Sequence, residues 1–412
     1  MKANPGGQID PNSVIGRDTL IRILWDTIEN QSLRITAERR IGKTTVIKKM
    51  RDQPADGWVP VFQDLEKCHT AEDFAMAVYR EVHQFLSGKG KAARRAAEWF
   101  RAIGGLEVGG LFKLPDRPGA HWKDVLTRSI EDLILENNAT GTRLLFLWDE
   151  VPFMLANIRD REGEQRAMEV LDTLRALRQT HSGLRMIITG SIGLHHVFAS
   201  LKEKNYANSP VNDMAAIDVP PLEERDAQEL ACQLIQGEKL QAPDLSAAAI
   251  AIAQEADCFP FYIHQIVRAL KIAGRAATPA SVHDIVAAQL VDANDPWELL
   301  HYRQRVRTYY GPDEKTVLLI LDHLACPPGP GRMGGEVGAA SLPLDLSQTQ
   351  LVASVNELLS ALKGASHFDD RERLLQLLSW MERDHYLFRE PDGQYRFRFP
   401  LLRRWWKINR GL

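Results

Sequence analysis

The sequence predicts an α/β protein: a parallel β-sheet with helices on both faces, followed by a region of helices alone and then by a winged helix. Short apolar runs alternate with amphipathic helical patterns as far as residue 219, which is typical of a parallel sheet. Pro220-Pro221 then interrupts the chain, and only helical patterns follow it directly. Beyond residue 310, helical patterns precede two short strands that Asp392-Gly393 joins in a turn, as in a winged helix.

Each element of the first half has its own pattern. Apolar runs predict strands at 33–36, 58–65, 144–148, 185–189 and 215–219. Helical patterns lie between them at 44–52, 71–85, 122–136 and 163–179. The Gly-rich segment 104–114 fits neither pattern and predicts an inserted β-hairpin, which either closes an edge of the sheet or contacts a partner.

The second half is predominantly helical. Helices are predicted at 223–236, 246–255, 261–273, 279–293, 313–324, 347–362 and 370–384, and strands at 386–389 and 395–399. At the other end of the chain, the first dozen residues are polar and rich in Gly and Pro, which predicts a flexible tail.

Residues 37–44 form the first motif with a clear chemical meaning. They read Ala-Glu-Arg-Arg-Ile-Gly-Lys-Thr and nearly match the phosphate-binding pattern G-x-x-x-x-G-K-[ST] between a strand and a helix. Because the free N–H groups and the dipole of a helix N-terminus attract phosphate, this context predicts a nucleotide site. Lys43 would reach the β- and γ-phosphates, and Thr44 would offer its hydroxyl to Mg²⁺. The residues predicted to bind the nucleotide here are Ala37, Glu38, Arg39, Arg40, Ile41, Gly42, Lys43, Thr44 and Thr45.

The loop departs from the pattern at its first position. Ala37 stands where glycine is usual, and its methyl group restricts the backbone there. We therefore expect Ala37 to reach the turn with ordinary dihedral angles. Lys43 is expected to be an exposed, flexible side chain whose removal affects the ligand more than folding.

A second motif follows the apolar run 144–148, where Asp149 and Glu150 precede Val151-Pro152. A continuous apolar run predicts a central parallel strand, and open α/β sheets bind ligands at the carboxyl ends of their strands. Asp149 is the candidate for supporting Mg²⁺, and Glu150 for orienting the water that attacks the γ-phosphate. An acidic pair can also merely cap a strand, but beside a phosphate-binding loop it favours a site for ATP hydrolysis.

The strand predicted at 185–189 also ends on polar residues. Thr189 or Ser191 could face the γ-phosphate or the attacking water from the strand beside the acidic pair. Ser191 could equally well cap the segment that follows it. Both interpretations remain open at this point.

Five segments together resemble a known family, the prokaryotic (archaeal-type) AAA+/STAND P-loop ATPases, which are relatives of the origin-recognition ATPases. They are Val14-Ile15-Gly16-Arg17-Asp18, the Arg-Arg-x-Gly-Lys-Thr loop, the Asp-Glu-x-Pro strand end, Thr189-Gly190-Ser191 and Cys258-Phe259-Pro260-Phe261-Tyr262. The resemblance implies that Ile15, Gly16 and Arg17 line the adenine and that Pro260 approaches the nucleotide from a helical lid. Asp257-Cys258 occupies the stretch where the family usually has a glycine before this proline.

With this resemblance, the boundaries divide the chain into four parts: a flexible tail (1–13), a P-loop ATPase core (14–220), a helical lid (221–310) and a winged-helix domain (311–412). With 412 residues, 44% of them hydrophobic and 25% charged, the chain is long enough for several packed domains. Four scattered cysteines without C-x-x-C spacing argue against zinc and suit a reducing cytoplasm. No apolar stretch approaches a membrane span in length, so we expect a cytoplasmic protein that makes no membrane contact.

The winged helix raises the question of DNA binding. The segment 393–412 carries basic residues without an intervening acid, and basic side chains on a wing can neutralise phosphates. However, basic and aromatic residues alternate there as in any half-buried strand, and the formal net charge of the chain is -3. We therefore favour contact with a protein partner or self-assembly. The basic residues concerned are Arg396, Arg398, Arg403, Arg404, Lys407 and Arg410.

The sequence thus predicts an Mg²⁺-dependent ATPase that acts as a nucleotide-dependent molecular switch. One alternative is an ATP-gated DNA-binding regulator or loader that uses the winged helix. Another is an adaptor that binds nucleotide without turnover, although Glu150 argues against it. Several arginines, such as Arg159, Arg161 and Arg178, could complete the site of a neighbouring copy as an arginine finger.

Overall fold

The computed structural model describes residues 1–7, 9–86, 106–108, 111–113, 121–190, 196, 210–326 and 351–412. The chain divides into two compact units. We call Ile9–Pro220 the core unit, and Pro221–Leu412 together with Met1–Gln8 the C-terminal unit. Across the described ranges, no helix combines the length and the hydrophobicity that a membrane crossing requires.

The core unit is built on a five-stranded parallel sheet with the strand order β2-β5-β6-β1-β7. A separate antiparallel hairpin, β3–β4, lies where the sequence predicts an insertion. The α/β fold class predicted from the sequence is therefore confirmed. The strands are β1 (Leu33–Thr36), β2 (Trp58–Asp64), β3 (Leu106–Val108), β4 (Leu111–Lys113), β5 (Arg143–Asp149), β6 (Leu184–Thr189) and β7 (Ala215–Asp218).

Helices pack against this sheet through a continuous apolar core. Strand β5 is buried from Leu144 to Asp149, as its apolar run predicts for a central strand. Trp148 lies fully buried, stacked on Phe146 and edge-on to Phe74, with ring centroids 4.9 and 5.3 Å away. The helices are α1 (Asp18–Ile28), α2 (Lys43–Asp52), α3 (Ala71–Leu86), α4 (His121–Thr140), α5 (Val151–Glu162) and α6 (Glu164–Thr180).

Helix α5 lies where the sequence patterns predict no helix. Helix α5 begins directly after Glu150, and Pro152 lies in its first turn, where proline is well tolerated because its missing N–H has no partner to lose. Gly163 separates α5 from α6 with a φ of 91°. Pro152 is therefore a helix-start signal.

The C-terminal unit contains the helices that follow Pro220-Pro221, together with the helices and the hairpin that the sequence predicts to form a winged helix. Helix α13 begins later than predicted, because Ser354 and Glu357 form a reciprocal capping box at its start. The hairpin β8–β9 turns through Gly393 at a φ of 87°. The elements are α7 (Glu224–Gly237), α8 (Leu245–Glu255), α9 (Pro260–Ile272), α10 (Pro279–Leu290), α11 (Leu300–Tyr310), α12 (Glu314–Ala325), α13 (Val355–Ser366), α14 (Arg371–Arg383), β8 (Leu387–Arg389), β9 (Tyr395–Phe397) and α15 (Pro400–Arg410).

A buried ion pair joins α11 to the end of α14. Arg305 and Asp384 are 3% and 1% exposed, and their closest nitrogen–oxygen distance is 3.3 Å. The hydroxyl of Tyr310 donates to the same carboxylate at 2.7 Å. Because a buried charge is costly without such partners, this cluster fixes how the helices meet.

The turn between α8 and α9 is bonded to α15. Asp257 and Cys258 both adopt left-handed conformations, with φ of 48° and 59°, at the place where the family resemblance leads one to expect glycine. The carboxylate of Asp257 accepts a hydrogen bond from the N–H of Leu401 at 2.5 Å, in the first turn of α15. Burial raises the pKa of Asp257 to about 7.

The N-terminal segment differs from the flexible tail that its composition predicts. The N–H of Ala3 donates to Glu238 at 2.8 Å, and the N–H of Asn4 donates to Nδ1 of His264 at 3.1 Å. A Cβ at Gly237 would lie 1.6 Å from the carbonyl oxygen of Met1, so this approach requires glycine. The binding partners come from distant helices, which local composition cannot reveal.

His264 generates a prediction about pH. Burial lowers its pKa to about 4, so the folded unit keeps it neutral while the unfolded chain protonates it below about 6.5. Stability contributed by neutral His264 is therefore lost as the pH falls from about 6.5 towards 4, by at most ~1.4 kcal/mol per pH unit. His264→Gln should flatten this dependence relative to the wild type, measured as urea midpoints between pH 5 and 7. His283→Gln, at an exposed histidine, is the control, and equal pH slopes in wild type and His264→Gln would contradict the prediction.

Candidate nucleotide site

The predicted site residues of the core unit meet at the carboxyl edge of the sheet. The loop 37–42 follows β1, Asp149 ends β5, and Thr189 ends β6. Strand β6 pairs with both β1 and β5, so Thr189 lies between the loop and the acidic pair. Sheet topology thus brings together motifs that are far apart in the sequence.

The loop makes its turn with two left-handed residues. Arg40 has a φ of 67° and Gly42 a φ of 100°, and Gly42 is the N-cap of α2. Ala37 is buried, and its φ is not positive, so the expectation of ordinary dihedral angles at this position is met. The strained position is instead Arg40, which the sequence pattern did not single out.

Lys43 is not the exposed, flexible side chain that the sequence analysis expects. It is 7% exposed, and its ammonium group donates to the carbonyl oxygens of Ala37 and Glu38, each at 2.9 Å. The side chain therefore folds back across the loop and holds its first two carbonyl groups. This preorganises the loop, so Lys43 has a structural role in addition to its predicted contact with phosphate.

Asp149, at the end of β5, is hydrogen-bonded to the start of α2, to the end of β6 and to Glu150. The residue is 4% exposed, and its Oδ2 accepts a hydrogen bond from the hydroxyl of Thr44 at 2.5 Å. Its Oδ1 accepts from the hydroxyl of Thr189 and from the N–H of Glu150. Of the two predicted sensor residues, Thr189 thus contacts the acidic pair, whereas Ser191 lies outside the described residues.

The same oxygens fit a magnesium ion. Mg²⁺ prefers oxygen ligands and is usually held by one or two carboxylates together with water and substrate phosphates. The hydroxyl of Thr44 and the carboxylate of Asp149 supply such oxygens side by side. Within the described ranges, no group of three or more His, Cys, Asp or Glu side chains could hold a metal by itself.

Glu150 has an unusual backbone conformation. Its φ of 57° and ψ of 33° are left-handed, although it is not glycine, and it forms the N-cap of α5. Such conformations cost of order 1–3 kcal/mol and cluster at functional sites, where the surrounding structure holds them in place. The strain is consistent with the prediction that the Glu150 carboxylate must point in a fixed direction to orient the attacking water.

Pro152, in the first turn of α5, packs closely against Gly190, which follows β6. A Cβ at Gly190 would lie 2.4 Å from Cδ and 2.6 Å from Cγ of Pro152, so this contact leaves no room for a side chain. The sequence shows both residues, in Asp-Glu-x-Pro and Thr-Gly-Ser, but gives no sign that they touch. Gly190 directly follows Thr189, and only Val151 separates Pro152 from Glu150.

The residues that the resemblance assigns to the adenine and to the lid do not lie in the phosphate-binding loop or at the acidic pair. Arg17 is 4% exposed, and its guanidinium group donates to the carbonyl oxygens of Ile41 and Pro220. Gly16 has a φ of 70°, and Ile15 is half-buried. Pro260 begins α9 in the C-terminal unit. Contact of Ile15, Gly16, Arg17 and Pro260 with a nucleotide remains a prediction.

One of the proposed arginine fingers is unsuitable. Arg178 is buried and forms a two-pronged ion pair with Asp213, with both nitrogen–oxygen distances at 2.9 Å, and it also donates to the carbonyl of Pro210. A buried, internally paired guanidinium cannot reach the site of another molecule. Arg161 is exposed, and Arg159 pairs with Asp160 at 2.8 Å on the surface.

Comparison with known proteins provides solved structures of similar architecture. No protein-family model and no curated protein matches the sequence. The Walker-type ATPase of Pyrococcus abyssi superposes with a TM-score of 0.62 at 15% identity, over 96% of this chain and 97% of that one. The ORC2 protein of Aeropyrum pernix (ADPNP–ADP complexes) gives 0.49 at 12% identity over 99% and 96%. The ORC1 protein of Aeropyrum pernix in complex with DNA gives 0.39 at 13% identity over 98% and 96%.

The conclusion about the fold rests on the first of these structures. Its superposition covers nearly the whole of both chains. The chain therefore has the fold of an archaeal-type Walker P-loop ATPase, as the resemblance in its sequence implies.

Proposed function

We propose that the protein binds Mg²⁺–ATP at the carboxyl edge of its sheet and hydrolyses it as a nucleotide-dependent molecular switch of the AAA+/STAND type. The observation that carries this proposal is the hydrogen bond between Thr44 and Asp149, whose oxygens lie 2.5 Å apart although 105 residues separate them. Two motifs that each predict ATP chemistry thus share one point in space. A coincidental match of either motif would not require this contact.

Each side chain at this edge has a distinct part in the proposed reaction. Lys43 would bind the β- and γ-phosphates, and Thr44 with Asp149 would hold the metal. Glu150 would orient the attacking water, and Thr189 would keep Asp149 in position through their hydrogen bond. When bound, Mg²⁺ would neutralise charge on the phosphate oxygens.

The proposed partner of the switch is a protein or a second copy rather than DNA. Three of the six basic residues that could contact DNA are paired with carboxylates inside the C-terminal unit: Arg396 with Glu390, Arg404 with Glu255, and Arg410 with Asp322. Phosphates of DNA would have to displace these carboxylates, so each arginine would contribute less binding free energy to a DNA complex. ATP-dependent binding of duplex DNA with a steep salt dependence would instead support the DNA-loader alternative.

The first test concerns Lys43. Lys43→Ala should weaken ATP binding by about 100-fold or more, because the cation predicted to contact the phosphates is lost, and calorimetry measures this directly. Two buried carbonyl groups also lose a charged donor, so the free energy of unfolding should fall by about 1–3 kcal/mol. Lys67→Ala, at an exposed lysine of the same unit, is the control. Equal ATP affinity in wild type and Lys43→Ala would refute the assignment.

The second test separates a switch from an adaptor. Glu150→Gln should keep ATP affinity within a few-fold but lower single-turnover hydrolysis by roughly 100-fold or more, since the amide cannot polarise the attacking water. Trapped ATP should then hold whatever assembly ATP favours, which size-exclusion mass reports. Glu66→Gln, beyond the end of β2, is the matched control. Wild-type protein without turnover would favour the adaptor, and wild-type hydrolysis by Glu150→Gln would exclude Glu150 as the catalytic carboxylate.

The third test uses the contact between Pro152 and Gly190. Gly190→Ala should lower the hydrolysis rate about 10- to 100-fold with little change in ATP affinity, because the new methyl group pushes the strand ends apart. The double variant Gly190→Ala/Pro152→Ala should recover most of the rate, since it removes the ring that the methyl group meets. Gly183→Ala is the matched control, because a Cβ there makes only an ordinary contact of 3.6 Å with Asn138. A double variant as slow as Gly190→Ala would show that the contact does not position the site.

A further inference from the structure

The guanidinium group of Arg17 connects two backbone segments of the core unit. Its Nη2 donates to the carbonyl oxygen of Ile41 at 3.0 Å, and its Nη1 donates to the carbonyl oxygen of Pro220 at 2.8 Å. The residue is only 4% exposed; its bond to Ile41 is buried, whereas its bond to Pro220 is partly buried because Pro220 itself is exposed. A planar guanidinium fixes the relative direction of its donors, so both bonds depend on one side-chain position.

One acceptor lies in the phosphate-binding loop, and the other lies at the end of the core unit. Ile41 directly precedes Gly42 and Lys43, so its carbonyl belongs to the part of the phosphate-binding loop that must fit around phosphate. Pro220 is the last residue of the core unit, where the chain leaves for Pro221 and the C-terminal unit. The side chain of Arg17 thus spans from the nucleotide loop to the exit point of the chain.

The position of Arg17 is itself well fixed. It is the N-cap of α1, and its carbonyl accepts from the N–H of Ile21 at 2.9 Å. The next residue, Asp18, pairs with Lys49 of α2 at 2.7 Å, which links α1 to the helix that follows the loop. At the exit point, the N–H of Val219 donates to the carbonyl of Thr36 at 3.2 Å, at the end of β1. The guanidinium group therefore acts between anchored elements.

We propose that Arg17 is a positioning residue that transmits the state of the phosphate-binding loop to the exit segment at Pro220. A shift of the Ile41 carbonyl when the loop binds phosphate changes the direction of one bond and thereby strains or relieves the other. This inference rests on the proposed binding of ATP and specifies how that site is linked to the remainder of the chain. It assigns the donors of Arg17 to backbone carbonyls, in addition to the adenine contact that the family resemblance implies.

The experiment combines calorimetry with amide hydrogen exchange, with Mg²⁺ and a non-hydrolysable ATP analogue as the probe. In the wild type, the analogue should change the exchange of the peptide 215–224 several-fold. In Arg17→Ala, exchange of this peptide without nucleotide should rise about 10-fold, since the bond to Pro220 is lost. The analogue is added at a concentration that saturates each variant, as calorimetry establishes. The response of the peptide to the analogue should then disappear.

Two further variants identify the cause. Arg17→Lys keeps the charge but offers no planar pair of donors. Relative to Arg17→Ala, it should restore folding stability but only part of the change that the analogue causes in the exchange of peptide 215–224. Arg22→Ala, at an exposed arginine of α1, should behave as the wild type. A full nucleotide response in Arg17→Ala, or none in wild type that binds the analogue, overturns the inference alone. Wild-type protein that does not bind the analogue overturns the proposed function as well.

Discussion

The carboxylate of Asp149 is the constraint around which the core unit is organised. A buried carboxylate is costly unless hydrogen-bond donors surround it, and here they come from three elements: Thr44 on α2, Thr189 at the end of β6, and the N–H of Glu150 before α5. These donors can converge only because β6 lies between β1 and β5. The strand order, the loop conformation and the acidic pair are therefore parts of one arrangement.

The sequence predicts this arrangement wherever a signal is local. An apolar run predicts β5, the loop pattern predicts the start of α2, and the acidic pair predicts the functional edge of the sheet. It fails where the determining contact is distant. No pattern in the neighbouring sequence indicates these three contacts: Lys43 against its own loop, Pro152 against Gly190, and Arg17 bonded to Pro220. Such contacts depend on how the sheet brings strand ends together, which periodicity does not specify.

The C-terminal unit shows how composition misleads about charge. Its basic final segment resembles a surface for a polyanion, yet Arg404 and Arg410 are held by carboxylates of α8 and α12. The pair Arg305–Asp384 lies deeper still. Such interactions within the unit give this part of the chain a fixed internal geometry, since a charge removed from water must keep its partner. These arginines therefore stabilise the fold of the C-terminal unit through internal ion pairs.

The bonds of Ala3 and Asn4 make the C-terminal unit discontinuous in sequence. As domains tend to fold in the order in which the ribosome delivers them, the core unit can complete its sheet while the N-terminal segment has no helices to bind. Glu238 and His264 emerge only after the whole core unit has been made. The segment that precedes the core unit in the chain can thus dock only after the helices that follow the core unit have been made.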